Sequence, residues 1–312
     1  ILKDTGNGRY SFEDLPDLVT LNLQGNYYTG GTPNIVSDKL VSVNMTNVGF
    51  TVPTMPNAAG TLVTFNGAYM RSAGSFFTGG GNYKFANFSA LTSIDFNHAV
   101  LGGAFPQFSN IELRTLNLVY TAIVGGTFDG DTTYVIPAST FASATKLTTI
   151  DILSANLLTS PIHPDAFSNL NNLSYLQYYY YGRTGGAVPN LGGCTNLATL
   201  YLQHNAFTGS LPSLNALSKL SNVYLNFTGT VPIYKNLGSL VRLYIHNNKL
   251  EALSKFNNLP SLRYFYAHNN LMEGAIPSFA DCPNLYYLIL FNNKFTTYTQ
   301  GSLITLIFLE MS

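Results

Sequence analysis

The feature that most constrains this fold is a phrase repeated down the chain. It reads NLATLYLQHNAFTGSLPSL at 196–214, SLVRLYIHNNKLEAL at 239–253, SLRYFYAHNNLMEGAIPSF at 261–279 and NLYYLILFNNKF at 284–295. Each copy carries apolar residues at its first, fourth and sixth places and asparagine at its ninth, the frame LxxLxLxxN. Alternation in the LYL, FYA and LIL cores predicts a short strand with the fourth and sixth side chains inward and the third, fifth and seventh outward. About fifteen further residues supply the crossover that parallel strands need. At about 2 kcal/mol for each buried leucine, one repeat cannot order itself against its chain entropy. Stacked copies cover one another's apolar faces.

The frame starts at Leu18, Leu40, Leu62, Leu91, Leu113, Leu147, Leu173, Leu197, Leu220, Leu240, Leu262, Leu285 and Leu303, which gives about 13 repeats mostly spaced by 20 to 24 residues. Over almost its whole length the chain resembles the leucine-rich-repeat family. The copies after Leu197, with FTGSLP, FTGTVP and EGAIP, look most like the plant and bacterial extracellular subtype NxLxGxIP. This resemblance implies an α/β-type repeat solenoid: a horseshoe with a parallel β-sheet on the concave face and mostly irregular, 3-10 or short helical convex segments. The ninth-place Asn26, Asn205, Asn248, Asn270 and Asn293 sit at the bend, where stacked amides can satisfy the turning backbone. In the first half the apolar frame persists while this asparagine is often lost.

Residues 1–17 read as a lead-in or the end of a preceding repeat, and 18–312 as one solenoid. A final strand over Leu303–Leu309 would leave an uncovered edge, so the chain is expected to be an internal segment truncated at its C-terminus. A 46% hydrophobic, 10% charged composition suits a long apolar core. Fifteen basic and fifteen acidic residues cancel, giving no basic stripe for nucleic acid and no polybasic cluster for a membrane. LITLIF is too short to span a bilayer. Cys194 and Cys282 each precede an anchor leucine by three residues, four repeats apart, roughly 19 Å at strand spacing and beyond disulfide reach. They are expected to be free, buried thiols. The sequons at Asn44, Asn87, Asn172 and Asn226 include one, Asn87, expected in a loop.

Variation concentrates on the outward places. The fifth place runs Asn22, Asn44, Asn66, Asp95, Asn117, Asp151, Gln177 and then Tyr201, Tyr224, Tyr244, Tyr266, Ile289. Beside the tyrosines the third place supplies Arg242, Tyr264 and Tyr287, and the seventh His246, His268 and Phe291. Tyrosine and arginine on an exposed face are residue types enriched at binding hot spots, although stacking between strands would also stabilise the sheet. The Asn and Asp ladder is expected to be a self-satisfied hydrogen-bonding column. His246 and His268 should lie about 5 Å apart without a third ligand for zinc.

Two long repeats carry inserted loops, SFFTGGGNYKF and VGGTFDGDTTYVIP, the latter with Asp129 and Asp131 as a weak metal pair. The N-terminal DTGNGRYSFEDL resembles a degenerate bacterial calcium loop, which implies Asp4, Asn7 and Asp14 as ligands, but it is one residue short between Asp4 and Asn7. No other cofactor is expected. Neither a GxSxG elbow, an HExxH helix nor a Walker loop is present, so no catalytic residue is named and the chain is not expected to be an enzyme. The function expected is a binding or adhesion module for a protein or glycan, working through the concave face and inserted loops. The alternative is a structural spacer in a larger surface assembly such as a bacterial surface protein or phage virion appendage, whose partners would be neighbouring subunits. Either reading places the chain outside the cell, at a cell surface or on a virion surface.

Overall fold

The computed structural model describes residues 3–4, 10–11, 15–26, 35–50, 60–72, 85, 88–99, 107–108, 112–119, 136–154, 162–180, 186–205, 207–208, 213–298 and 308–310. The chain divides into two compact units, Ile1–Leu170 and Asn171–Ser312. In the first, β1 (Lys3–Asp4) and β2 (Tyr10–Ser11) pair antiparallel. A parallel series follows, in which β3 (Thr20–Asn22), β4 (Ser42–Asn44), β6 (Thr64–Asn66), β8 (Ser93–Asp95), β9 (Thr115–Asn117) and β10 (Thr149–Ser154) pair in sequence order. Beside it β5 (Gly49–Phe50) and β7 (Arg71–Ser72) form a separate parallel pair.

The second unit repeats the arrangement. Strands β11 (Tyr175–Tyr180), β12 (Thr199–Leu202), β13 (Asn222–Leu225), β15 (Arg242–Tyr244), β17 (Tyr264–Tyr266), β19 (Tyr287–Ile289) and β21 (Phe308–Glu310) pair parallel in that order. Its flank carries two more parallel pairs, β14 (Thr228–Val231) with β16 (Lys249–Leu253) and β18 (Glu273–Ile276) with β20 (Lys294–Tyr298). These flanking pairs follow from the FTGTVP and EGAIP phrases. Gly229 and Gly274 adopt φ of 81° and 82°, and the register of each pair shifts immediately after the glycine, where the partner strand carries one extra residue, Glu251 or Thr296.

The strand frame holds in every repeat but the last. Tyr287 pairs with Phe308 and Leu288 with Leu309, which puts the fourth place at Leu309 and the anchor at Leu306 rather than Leu303. LITLIFLE contains two overlapping LxxL frames, and the strand takes the later one. Elsewhere the fourth-place residues Val43, Phe65, Ile94, Leu200, Val223, Leu243 and Phe265 are all at most 1% exposed. Anchors from Leu40 to Leu285 are likewise buried, and the N–H just ahead of β4, β6, β8, β9, β10, β12, β13, β15, β17 and β19 bonds a carbonyl of the preceding repeat, as Val241 does to Ser221 at 2.9 Å.

Away from the strands the described backbone turns in steps of three: Cys194 N–H donates to Leu191 O and Leu197 N–H to Cys194 O, and the same pair recurs at Phe279, Cys282 and Leu285. One such stretch is a 3-10 helix, Ala138–Phe141. Inside these turns stands an aromatic column. Phe85, Phe108, Phe141 and Phe167 stack with centroids 5.0, 5.9 and 5.8 Å apart in the first unit. Tyr234, Phe256 and Phe279 continue the motif in the second, at 6.1 and 5.9 Å. These rings lie five or six residues before an anchor leucine and fill the width that the strand residues do not reach.

Candidate functional site

The ninth-place asparagines hold the strand ends that shape the outward face. Asn270 Nδ2 donates to Ile245 O of the preceding repeat and to Ala267 O of its own, both at 2.9 Å, while Leu250 N–H donates to Asn270 Oδ1 at 3.1 Å. Asn293 makes the same set with Ala267, Leu290 and Met272, and Asn205 bridges Tyr178 O and Leu202 O. Each side chain therefore ties two repeats together, as expected from its place. The repeat anchored at Leu220 is three residues shorter between Leu225 and Phe227 and has no such asparagine. Asn248 of the next repeat serves it instead, donating to Leu225 O at 3.0 Å and accepting from Phe227 N–H.

With the strand ends fixed, three outward columns form a continuous aromatic floor in the second unit. Tyr201, Tyr224, Tyr244 and Tyr266 follow one another at 4.5, 4.6 and 4.5 Å between ring centroids, and Tyr175 extends the series at 5.8 Å from Tyr201. On one side Tyr264 stacks on Tyr287 at 5.3 Å, and Arg242 Cζ lies 5.2 Å from the Tyr264 centroid while its Nη1 donates to Asn222 Oδ1. On the other, His246, His268 and Phe291 stack at 4.6 Å each, within 16° of parallel. All ten residues singled out by the frame lie on this floor and are half-buried. Tyr175, Tyr179 and His204 extend it and were missed; the last two pack at 4.7 Å. Tyr175 and Tyr179 occupy the third and seventh places of their repeat, so the frame contained the signal.

Partial burial sets the electrostatics of the floor. Desolvation, followed by the neighbouring Tyr201 and Tyr244, pushes the Tyr224 phenol up to about 12. Tyr244 and Tyr266 are raised, again mainly by burial. His246 is lowered by burial and then by His268 and His204, and its Nδ1 is buried without a partner. Burial thus favours the neutral forms of Tyr224, Tyr244, Tyr266 and His246 beside the guanidinium of Arg242.

No family model matches the chain. It is similar to Receptor-like protein 41 of Arabidopsis thaliana, 30% identical over 175 residues, which is 56% of this chain and 19% of that protein. Among solved structures a TDR receptor aligns at 25% identity and a TM-score of 0.60, over 90% of this chain and 52% of its own. The Arabidopsis receptor kinase HAESA, crystallised with the peptide hormone IDA and the co-receptor SERK1, aligns at 20% identity with a TM-score of 0.60, over 96% and 54%. The chain has the leucine-rich-repeat fold. It spans about a fifth of the curated relative and about half of each receptor structure.

The chain solves its strand ends differently in the first unit. There the fifth-place side chain caps its own turn: Asn22, Asn44, Asn66, Asp95 and Asn117 each accept from the backbone N–H two residues later, at 2.9 to 3.1 Å. This self-satisfied ladder explains why the ninth-place asparagine is dispensable in that half. Asp151 departs from it. Its Oδ1 is buried with no hydrogen-bond partner among the described residues, and burial raises its pKa to about 6.

Cys194 and Cys282 are buried thiols, which burial pushes up to about 12. Among the described residues no group of three or more His, Cys, Asp or Glu side chains could hold a metal ion. Asp4 pairs through its backbone with Tyr10, whereas Asn7, Asp14, Asp129, Asp131 and Asn87 lie outside the described residues. Asn226 follows β13 rather than lying within a strand, and its Nδ2 donates to Asn247 O. Asn172 is exposed in a turn.

Proposed function

We propose that this chain is an extracellular protein-recognition module that seats a peptide segment of its partner across the aromatic floor of the second unit. The observation that carries the reading is the floor itself: stacked rings that are half-exposed yet held by their neighbours. Stacking and binding are not rivals here. Rings already fixed by one another lose little rotamer freedom when a partner covers them, so the apolar area they offer is available at low entropic cost. Arg242, braced by Asn222 and Tyr264, adds one polar anchor within that area. The likeness to a receptor kinase crystallised with a peptide hormone and a co-receptor supports a protein or peptide ligand.

A random peptide library selected on the chain tests this. Recovered peptides should bind the Tyr244→Ala/Tyr266→Ala variant about tenfold or more weakly, the effect of truncating hot-spot side chains. Circular dichroism should show the variant folded, because each cross-strand pair contributes only about 0.2 to 1 kcal/mol. Equal affinity of the selected peptides for both proteins would overturn the assignment.

A further inference from the structure

The first unit carries a second recessed surface, of different chemistry. Strands β4, β6 and β8 enclose a hollow of about 320 Å³ lined by Ser42, Asn44, Thr64, Asn66, Ser93 and Asp95. Val43 and Phe65 lie beneath, each 1% exposed, so the surface offered to a ligand is polar. Internal hydrogen bonds fix which groups remain. Thr64 Oγ1 donates to Ser42 Oγ at 2.9 Å, leaving the Ser42 hydroxyl proton to donate. Asn66 Oδ1 accepts from Ala68 N–H and Thr46 Oγ1, leaving its Nδ2. Asp95 Oδ1 caps Asn97 N–H, leaving Oδ2 as an acceptor. The Ser93 hydroxyl bonds none of the described residues. Donors and acceptors thus stand side by side on adjacent strands about 4.8 Å apart.

The same two strands, β6 and β8, run out into a ring pair of which one member is exposed. Tyr69 and His98, at the eighth place of their repeats, stack with centroids 4.6 Å apart and 9° between planes. Tyr69 is 47% exposed. Both residues have left-handed backbones, φ 56° and 58°, in a column whose other left-handed members are Gly25, Asn47, His204, Asn247, Asn269 and Asn292. A tyrosine there opposes the backbone preference, and such outliers cluster where a side chain is needed for recognition. Its Cα lies three residues beyond Asn66, within roughly 11 Å of the hollow.

We propose that the hollow and the ring pair together bind a neutral carbohydrate chain. Covering these polar groups is tolerable only if each regains a hydrogen bond, and sugar hydroxyls, which both donate and accept, match the mixture. The apolar C–H face of a pyranose ring lies on Tyr69 as an aromatic platform. A peptide fits less well, since the hollow exposes no apolar floor for its side chains and a single carboxylate for a cationic one.

Isothermal titration of the full chain with maltohexaose, cellohexaose and xylohexaose should give saturable binding by at least one, with a dissociation constant at or below about 1 mM. Tyr69→Gly installs the residue that the turn prefers, so it should stay folded while losing about tenfold or more in affinity. Asp95→Asn keeps the cap to Asn97 and should lose roughly fivefold or more. The Tyr244→Ala/Tyr266→Ala variant should bind the sugar as wild type does, which separates this site from the aromatic floor. Absence of saturation by all three sugars overturns the proposal, as does unchanged affinity in both Tyr69→Gly and Asp95→Asn. Saturation by oligolysine without any sugar binding assigns the hollow to a cationic segment and equally overturns it.

Discussion

At the scale of single residues, the chain contains positions that work against its own stability. Tyr69 occupies a left-handed turn that glycine fills in the first repeat, so Tyr69→Gly is expected to stabilise the fold by about 1 kcal/mol in urea unfolding, despite the lost stacking on His98. Asp151 is a second case. Its pKa of about 6 in the folded chain lies above the ordinary 3.8. Between those values the folded state keeps a proton that the unfolded state has lost, so stability falls as pH rises through the window and stays lower above it. Asp151→Asn should therefore raise the melting temperature at pH 8, with the gain vanishing below about pH 4. A difference that is flat with pH would exclude burial of the charge as its cause. His246 acts in the opposite sense: its pKa is depressed, so its contribution is present above its ordinary value of 6.5 and is lost as pH falls below it. None of these tensions was legible in the sequence. The frame placed Asp151 among five capping side chains, and only burial and the missing N–H partner set it apart.

At the scale of elements, two internal columns hold the repeats together. Asn270 is 6% exposed and satisfies carbonyls of two repeats as well as the Leu250 N–H, so Asn270→Ala should cost about 3 kcal/mol by chemical denaturation, more than a surface amide would. Phe141 stacks on both Phe108 and Phe167, and Phe141→Ala should cost about 3 to 5 kcal/mol, with Phe141→Leu recovering most of it. The asparagine column was readable because its residue type is tied to one place in the strand frame. The phenylalanine column was equally periodic, in NYKFANFSAL, STFASATKL and HPDAFSNLNNL, but it lies in the crossover, where a frame built on strand alternation assigns no inward places. The flanking sheet pairs were hidden for a different reason. They depend on a register shift beside Gly229 and Gly274, and a glycine after a threonine or a glutamate reads equally well as a plain turn.

At the scale of the molecule, the outward strand places of the second unit are aromatic and those of the first are short amides, hydroxyls and acids. Fifteen cations and fifteen anions lie mostly off the aromatic floor, whose third, fifth and seventh places from Tyr175 to Phe291 hold one fixed charge, Arg242. Peptide binding there should consequently change by less than about threefold between 50 mM and 500 mM salt, as measured by fluorescence titration; a steep salt dependence would point to a charged surface elsewhere. The frame located this floor correctly because outward places are free of packing constraint, so their chemistry shows directly in the residue types. It did not reveal the polar hollow, whose free hydrogen-bonding groups depend on which neighbours Thr64, Asn66 and Asp95 already engage. The shortened repeat between Leu225 and Phe227 has a practical meaning of its own. Pairing register is kept on both sides, Leu202 with Leu225 and Thr228 with Lys249, because Asn248 spans the missing turn. That junction is a natural splice point, where a short foreign epitope or label can be inserted while the neighbouring strands stay in step.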